Sequence, residues 1–171
     1  MARPLSTVLD GVGTLARLGL AVVWLISGSI KVADINGTYT SVSGYQLFPT
    51  GVASLIAAVL PFLELALGVL LLAGIGVRLV GVLSGLLFLA YIVGIAQAWA
   101  RGLTIDCGCF STGGQVAAGQ THYLEEILRD IGFTALAVWL VVRPRTWLSV
   151  DGLLRGRRDE DDGTAQVARG A

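Results

Sequence analysis

Cys107 and Cys109 are the only two cysteines among the 171 residues, and a single glycine separates them in Thr104-Ile105-Asp106-Cys107-Gly108-Cys109-Phe110-Ser111. Thiols spaced in this way can close a small disulfide ring, and Gly108 supplies the backbone freedom that so tight a ring needs. Such a bridge is strained and easily reduced, which suits exchange with a partner thiol through a mixed disulfide. A structural disulfide is the weaker reading, because a ring this small removes little entropy from the unfolded chain. A metal site built with Asp106 and His122 is weaker still, since one Cys-x-Cys and one histidine fall short of the usual four zinc ligands. The expectation is therefore catalytic thiols at Cys107 and Cys109 and no metal. One of the two attacks or is attacked and the other resolves the mixed disulfide.

Charged neighbours would tune these thiols. Asp106 disfavours the adjacent thiolate, whereas Arg101 or a helix N-terminus would favour it. His122, the only histidine, is a candidate proton shuttle, with a solvated surface position as the plainer alternative. Lys31, at the end of the first apolar segment, is placed to stabilise a thiolate or to meet a quinone head group, or else it snorkels to the interface.

The elements that must hold these residues are membrane helices. The chain is 54% hydrophobic and 14% charged, far more apolar than a soluble domain. Its formal charge is zero, with 12 basic and 12 acidic residues, so nothing in the composition argues for nucleic acid. Apolar segments run over about 11–32, 52–73, 79–99 and 123–142, each long enough to cross a bilayer. The expected fold is all-α, an integral membrane four-helix bundle covering residues 1–154, followed by a disordered cytoplasmic tail at 155–171. No cleavage site follows the first segment, so it reads as a retained span rather than a signal peptide.

The connections are legible too. Residues 34–51 read as a polar loop with room for a short surface helix. Gly74-Ile75-Gly76 makes the second and third spans a helical hairpin, and Gly81 and Gly85 form a small-xxx-small stripe for close helix packing. At the start of the last span, Glu125 and Glu126 complement the helix dipole. Arg129, four residues after Glu125, reads as its surface ion-pair partner.

Four spans put both termini on one side, together with Arg3, Arg78 and the cluster Arg143, Arg145, Arg155, Arg157 and Arg158. The positive-inside rule then makes both termini cytoplasmic and the cysteine loop extracytoplasmic, where disulfides form and persist. Within the spans, Arg17 and Glu64 are ionisable groups that each need a partner or a function. Centring the first two spans on Val22 and Phe62 brings these two within about three or four residues axially. They read as a buried charge pair, either an internal lock between helices or a functional proton site.

Cys107-Gly108-Cys109-Phe110 after a third span resembles the Cys-Gly-Cys-Phe-Gly motif of the MauE branch of the DoxX-like family of redox-associated integral membrane proteins. Arg17, Ser27-Gly28-x-x-Lys31 and Pro61-x-x-Glu64-x-x-x-Gly68 are similar to recurring positions of that family, so the likeness covers Arg17 to Val142. Ser111 departs from it, standing where the motif has its second glycine. The resemblance implies a membrane protein that carries disulfides or electrons between an extracytoplasmic thioredoxin-like partner and a membrane electron carrier, with a lipid quinone as candidate acceptor. A non-catalytic assembly or scaffold subunit is the alternative. No second cysteine pair is present to relay electrons from the partner, which weighs against an autonomous enzyme. Self-association is left open.

Overall fold

The computed structural model describes residues 3–107, 114–115, 117, 121–144, 146 and 149–150. The fold is all-α apart from one small ladder. Its helices are α1 (Arg3–Ala33), α2 (Ile35–Gly44), α3 (Thr50–Ala73), α4 (Val77–Ala100) and α5 (Tyr123–Val142), with β1 (Ile105–Asp106) and β2 (Gly114–Gln115) between α4 and α5. Among the described residues three helical stretches are long and apolar enough to cross a membrane: Val8–Ala33, Thr50–Ala73 and Val77–Ala100. The fourth expected segment is helical over the expected bounds. Its first eight residues include Glu125, Glu126, Arg129 and Asp130, which makes it more polar than the other three.

Sequence punctuation sets the helix ends. Pro49 stands just before α3, where its missing N–H costs nothing. Gly74 ends α3 at φ 69°, in the left-handed region that favours glycine, and donates its N–H to the Leu70 and Leu71 carbonyls. Two residues on, Gly76 starts α4 at φ 60°. Asp34 caps α2 by accepting from the Gly37 N–H at 2.8 Å. The segment expected as a loop is thus mostly a ten-residue helix with Thr38 and Ser41 buried.

α1 packs chiefly on α3, and α4 chiefly on α5, with α1 also touching α5. Close approach of α1 and α3 depends on two glycines. A Cβ at Gly28 would lie 2.9 Å from the Pro61 carbonyl, and one at Gly68 would lie 3.1 Å from the Leu25 nitrogen. The stripe expected on α4 does pack: Gly81 faces the Ala137 carbonyl and Gly85 the Ala137 side chain. Trp24 joins the two pairs, stacking on Phe88 with centroids 4.4 Å apart and donating its Nε1–H to Ser84 Oγ at 2.9 Å. α3 and α4, although consecutive, touch each other little.

The α1–α3 register overturns the expected Arg17–Glu64 pair. Gly28 lies against Pro61 and Leu65, and Leu25 against Gly68. This slides α1 along α3 by about two helical turns from the arrangement that centred Val22 on Phe62. Arg17 therefore reaches the end of α3, where its Nη1 donates to the Leu71 carbonyl at 3.2 Å and crowds Gly74. There it is a cation at a helix C-terminus, a stabilising position. Glu64 instead meets Lys31.

Candidate thiol site and buried ion pair

Cys107 directly follows β1 and is buried, with 8% of its surface exposed. β1 and β2 pair antiparallel, Ile105 with Gln115 and Asp106 with Gly114, so the ladder closes the segment that contains the second cysteine. Gly108, Cys109 and Phe110 lie outside the described residues. Tyrosines from two helices fix the near side of the loop. Tyr123 Oη accepts from the Ile105 N–H at 3.0 Å and donates to the Leu103 carbonyl at 2.5 Å. Tyr45 Oη donates to the Cys107 carbonyl at 2.9 Å. Together with Ile95 and Ala98, Ile105, Cys107 and Tyr123 form a small apolar cluster, which places the thiol on a packed base rather than on a loose loop.

The charges around the sulfur differ from expectation. Arg129 Nη2 lies 3.9 Å from Cys107 Sγ, and its Nε lies 3.3 Å from the Asp130 carboxylate on the same helix. Arg129 is therefore not the surface partner of Glu125: the first turns of α5 direct it towards the thiol. Arg101 is engaged elsewhere, donating to the Tyr45 carbonyl at 3.2 Å and to Gln97 Oε1 at 3.1 Å. Asp106 stands beside the thiol as expected, joined by Glu126; the Sγ and one oxygen of each carboxylate lie within 4.8 Å of one another. These three donors are the set that could hold a cation, but the guanidinium already supplies positive charge there. His122 is exposed and sits 3.5 Å from Glu125, the solvated position that was the plainer alternative to a proton shuttle.

Lys31 is 4% exposed and Glu64 is fully buried, so neither snorkels. Lys31 Nζ donates to both Glu64 oxygens, at 2.8 and 2.9 Å, and to Ser27 Oγ at 2.6 Å. Ser27 donates on to Glu64 Oε2 at 3.0 Å, and Tyr91 Oη donates to Glu64 Oε1. All three ammonium hydrogens and both carboxylate oxygens are thus used, which is what a buried ion pair requires if it is not to be a large penalty. Asp130 is buried beside Arg129. Its Oδ2 has no hydrogen-bond partner among the described residues.

Lys31 of the ion pair and Cys107 line one cavity. It has a volume of about 390 Å³, and its lining includes Lys31 of α1, Ser41 of α2, Leu60 of α3, Tyr91 and Gly94 of α4, and Cys107. That size is in the range of small-molecule sites. Tyr45 and Tyr91 line this cavity and Arg129 and Glu126 flank the thiol, yet the sequence marked none of them for the site. An aromatic residue in an apolar span reads as core, and the helix-surface pairing of Arg129 was the simpler reading of its spacing.

This arrangement, a loop thiol after α4 and a Lys–Glu pair between α1 and α3, can be set beside known proteins. The profile of the family described as methylamine utilisation protein MauE matches residues 9–143. The chain belongs to the MauE family. Methylamine utilization protein MauE of Paracoccus denitrificans is 29% identical over 123 residues, which are 71% of this chain and 64% of that relative. The chain thus matches less than two thirds of the curated relative's length. No solved structure matches it. The MauE match contains the thiol, the Lys31–Glu64 pair and the cavity between them. With its three apolar helices, this MauE-family chain is a multi-pass membrane protein.

Proposed function

We propose that this MauE-family protein exchanges disulfides at the extracytoplasmic face of the membrane, using Cys107 and Cys109 as the reacting pair. In this reading α1, α3, α4 and α5 all span the bilayer, with both termini cytoplasmic, and an exported thioredoxin-like protein is the thiol partner. A partner thiolate attacks one sulfur of the Cys107–Cys109 disulfide, that S–S bond breaks, and a mixed disulfide forms. The second partner thiol then attacks the mixed disulfide. The partner leaves oxidised and the pair is left as a dithiol holding two electrons and two protons, to be passed to a carrier within the membrane. The relative potentials of the two pairs set the direction of exchange.

The observation that carries this reading is the Arg129 guanidinium 3.9 Å from Cys107 Sγ. A guanidinium beside a sulfur held by a fixed backbone offers a partner to the sulfur anion that exchange releases, against the opposing carboxylates of Asp106 and Glu126. The test is labelling of intact cells with a membrane-impermeant maleimide after reduction. Cys107 and Cys109 should both be modified without permeabilisation. Modification only after the membrane is opened would contradict the reading.

A second reading has its own observation. The chain contains two cysteines, so it has no internal second pair to receive a partner's electrons. A scaffold subunit whose dithiol attaches to or senses a redox partner fits that count. It predicts a purified protein inert to quinone, together with a partner that fails to accumulate when this chain is deleted.

A further inference from the structure

We infer that the cavity between Lys31 and Cys107 is the docking site for the head group of a lipid-borne quinone, which accepts the electrons of the dithiol. This deepens the thiol-exchange reading and rests on it.

The cavity opens between two apolar helices. α3 and α4 are joined by a short turn at one end but touch each other little. Leu60 and Ile56 of α3 and Leu87 and Ala90 of α4 line the cavity between them. Around it, Val93 and Phe48 are 65% and 47% exposed, which in a membrane protein means contact with lipid. A ligand dissolved in the bilayer can enter sideways between two apolar helices. A water-soluble one would have to cross apolar surface.

The cavity is apolar along its walls, with Lys31, Tyr45, Tyr91 and Cys107 among the residues that line it. A quinone head group has the matching form, a flat apolar ring carrying hydrogen-bond acceptors. An acyl chain has no acceptor to offer these groups. Lys31 gives its three hydrogens to Ser27 and both Glu64 oxygens, so one of its two bonds to Glu64 is exchanged for a bond to a ring oxygen while the other keeps the ion pair.

The electron and proton counts of dithiol and quinone also match. Oxidation of the dithiol breaks two S–H bonds and forms one S–S bond, releasing two electrons and two protons. Reduction of a quinone to a quinol takes up two electrons and two protons and forms two O–H bonds, so the exchange is complete with no further reactant.

The test uses the full chain in lipid nanodiscs with decylubiquinone as probe. Saturable binding is expected, with at least tenfold weakening in Leu60→Trp and in Ala90→Trp, which fill the cavity. Leu15→Trp, on an exposed face of α1 about four helical turns from Lys31 and outside the cavity lining, should bind as the unaltered chain does. Anaerobic mixing of the reduced protein with the probe should consume one quinone per Cys107–Cys109 pair. Absence of saturable binding, or binding that both cavity variants leave unchanged, overturns the inference, as does a phospholipid chain recovered from the cavity by native mass spectrometry. Disulfide exchange with a reduced thioredoxin-fold protein, measured in the same samples, separates the two failures. If exchange persists without quinone binding, the quinone site falls and the thiol reading stands; if exchange is absent as well, both fall.

Discussion

Lys31 at the end of α1 and Glu64 in the middle of α3 meet at 2.8 Å with side chains 5% and 0% exposed. The pair is neutral as a unit and fully hydrogen-bonded, so removing one member leaves an uncompensated buried charge. Lys31→Met or Glu64→Leu alone should destabilise the protein by about 3–5 kcal/mol. The double variant should recover most of that loss. Thermal unfolding in a mild detergent checks this, and equal losses in the single and double variants would show that the pair is not coupled.

Gly74 and Gly76 flank the same turn at nearly the same φ, 69° and 60°, but their surroundings differ. Alanine at either position bears the left-handed backbone penalty of about 1–2 kcal/mol. At Gly74 the added Cβ also meets the Arg17 guanidinium and the Ser149 Cα, the latter at 2.7 Å. Nothing lies within 4 Å at Gly76. Gly74→Ala should therefore lower the melting temperature clearly more than Gly76→Ala. Equal effects would argue against Arg17 packing at the end of α3.

The glycines of the α1–α3 seam should be sharply separable from other helical glycines. Gly28→Ala and Gly68→Ala place a Cβ against backbone at 2.9 and 3.1 Å, and each should cost about 1–3 kcal/mol by overpacking. Gly19→Ala and Gly132→Ala meet nothing within 4 Å, and each should stabilise by about 0.5–1 kcal/mol through helix propensity. Melting curves of the four variants give the comparison.

Arg129 should govern thiol reactivity. It is the cation that reaches Cys107 Sγ, and its side chain is 32% exposed, so solvent screens part of the effect. Arg129→Gln should slow alkylation of Cys107 several-fold at neutral pH, because it removes the cation that offsets Asp106 and Glu126. Arg129→Lys, which keeps the charge but not the fork, should fall between. Arg101→Gln should leave the rate unchanged, since Arg101 is held by Tyr45 and Gln97. Rates measured with a small iodoacetamide reagent decide the order.

Helix extents were legible in the sequence to within a few residues, apart from the start of α1, because Pro49, Gly74, Gly76 and the polar run after Ala100 punctuate long apolar stretches. Cys107 and Cys109 were legible as candidates by residue type and spacing alone. What could not be read was which charges meet. That depends on how far one helix slides along another, and the slide is set by the fit of Gly28 against Pro61 and of Gly68 against Leu25. Hydropathy carries no information on it, and centring both spans in the bilayer paired Glu64 with the wrong cation. The β1–β2 ladder, two residues on each strand, is too short to show an alternating pattern. Tyr91 resembled any other aromatic in an apolar helix until α1 and α3 brought the ion pair beside it.

The central claim is disulfide exchange through Cys107 and Cys109, and mixed-disulfide trapping tests it most directly. Cells carrying Cys107→Ala or Cys109→Ala are quenched with acid, alkylated and resolved on non-reducing gels, and captured species are identified by mass spectrometry. Exchange predicts that at least one of the two variants accumulates a reducible adduct with an exported thioredoxin-fold protein, while the unaltered chain and the double variant do not. Absence of any such adduct in both variants, with the partner's own disulfides forming normally in each, would contradict it.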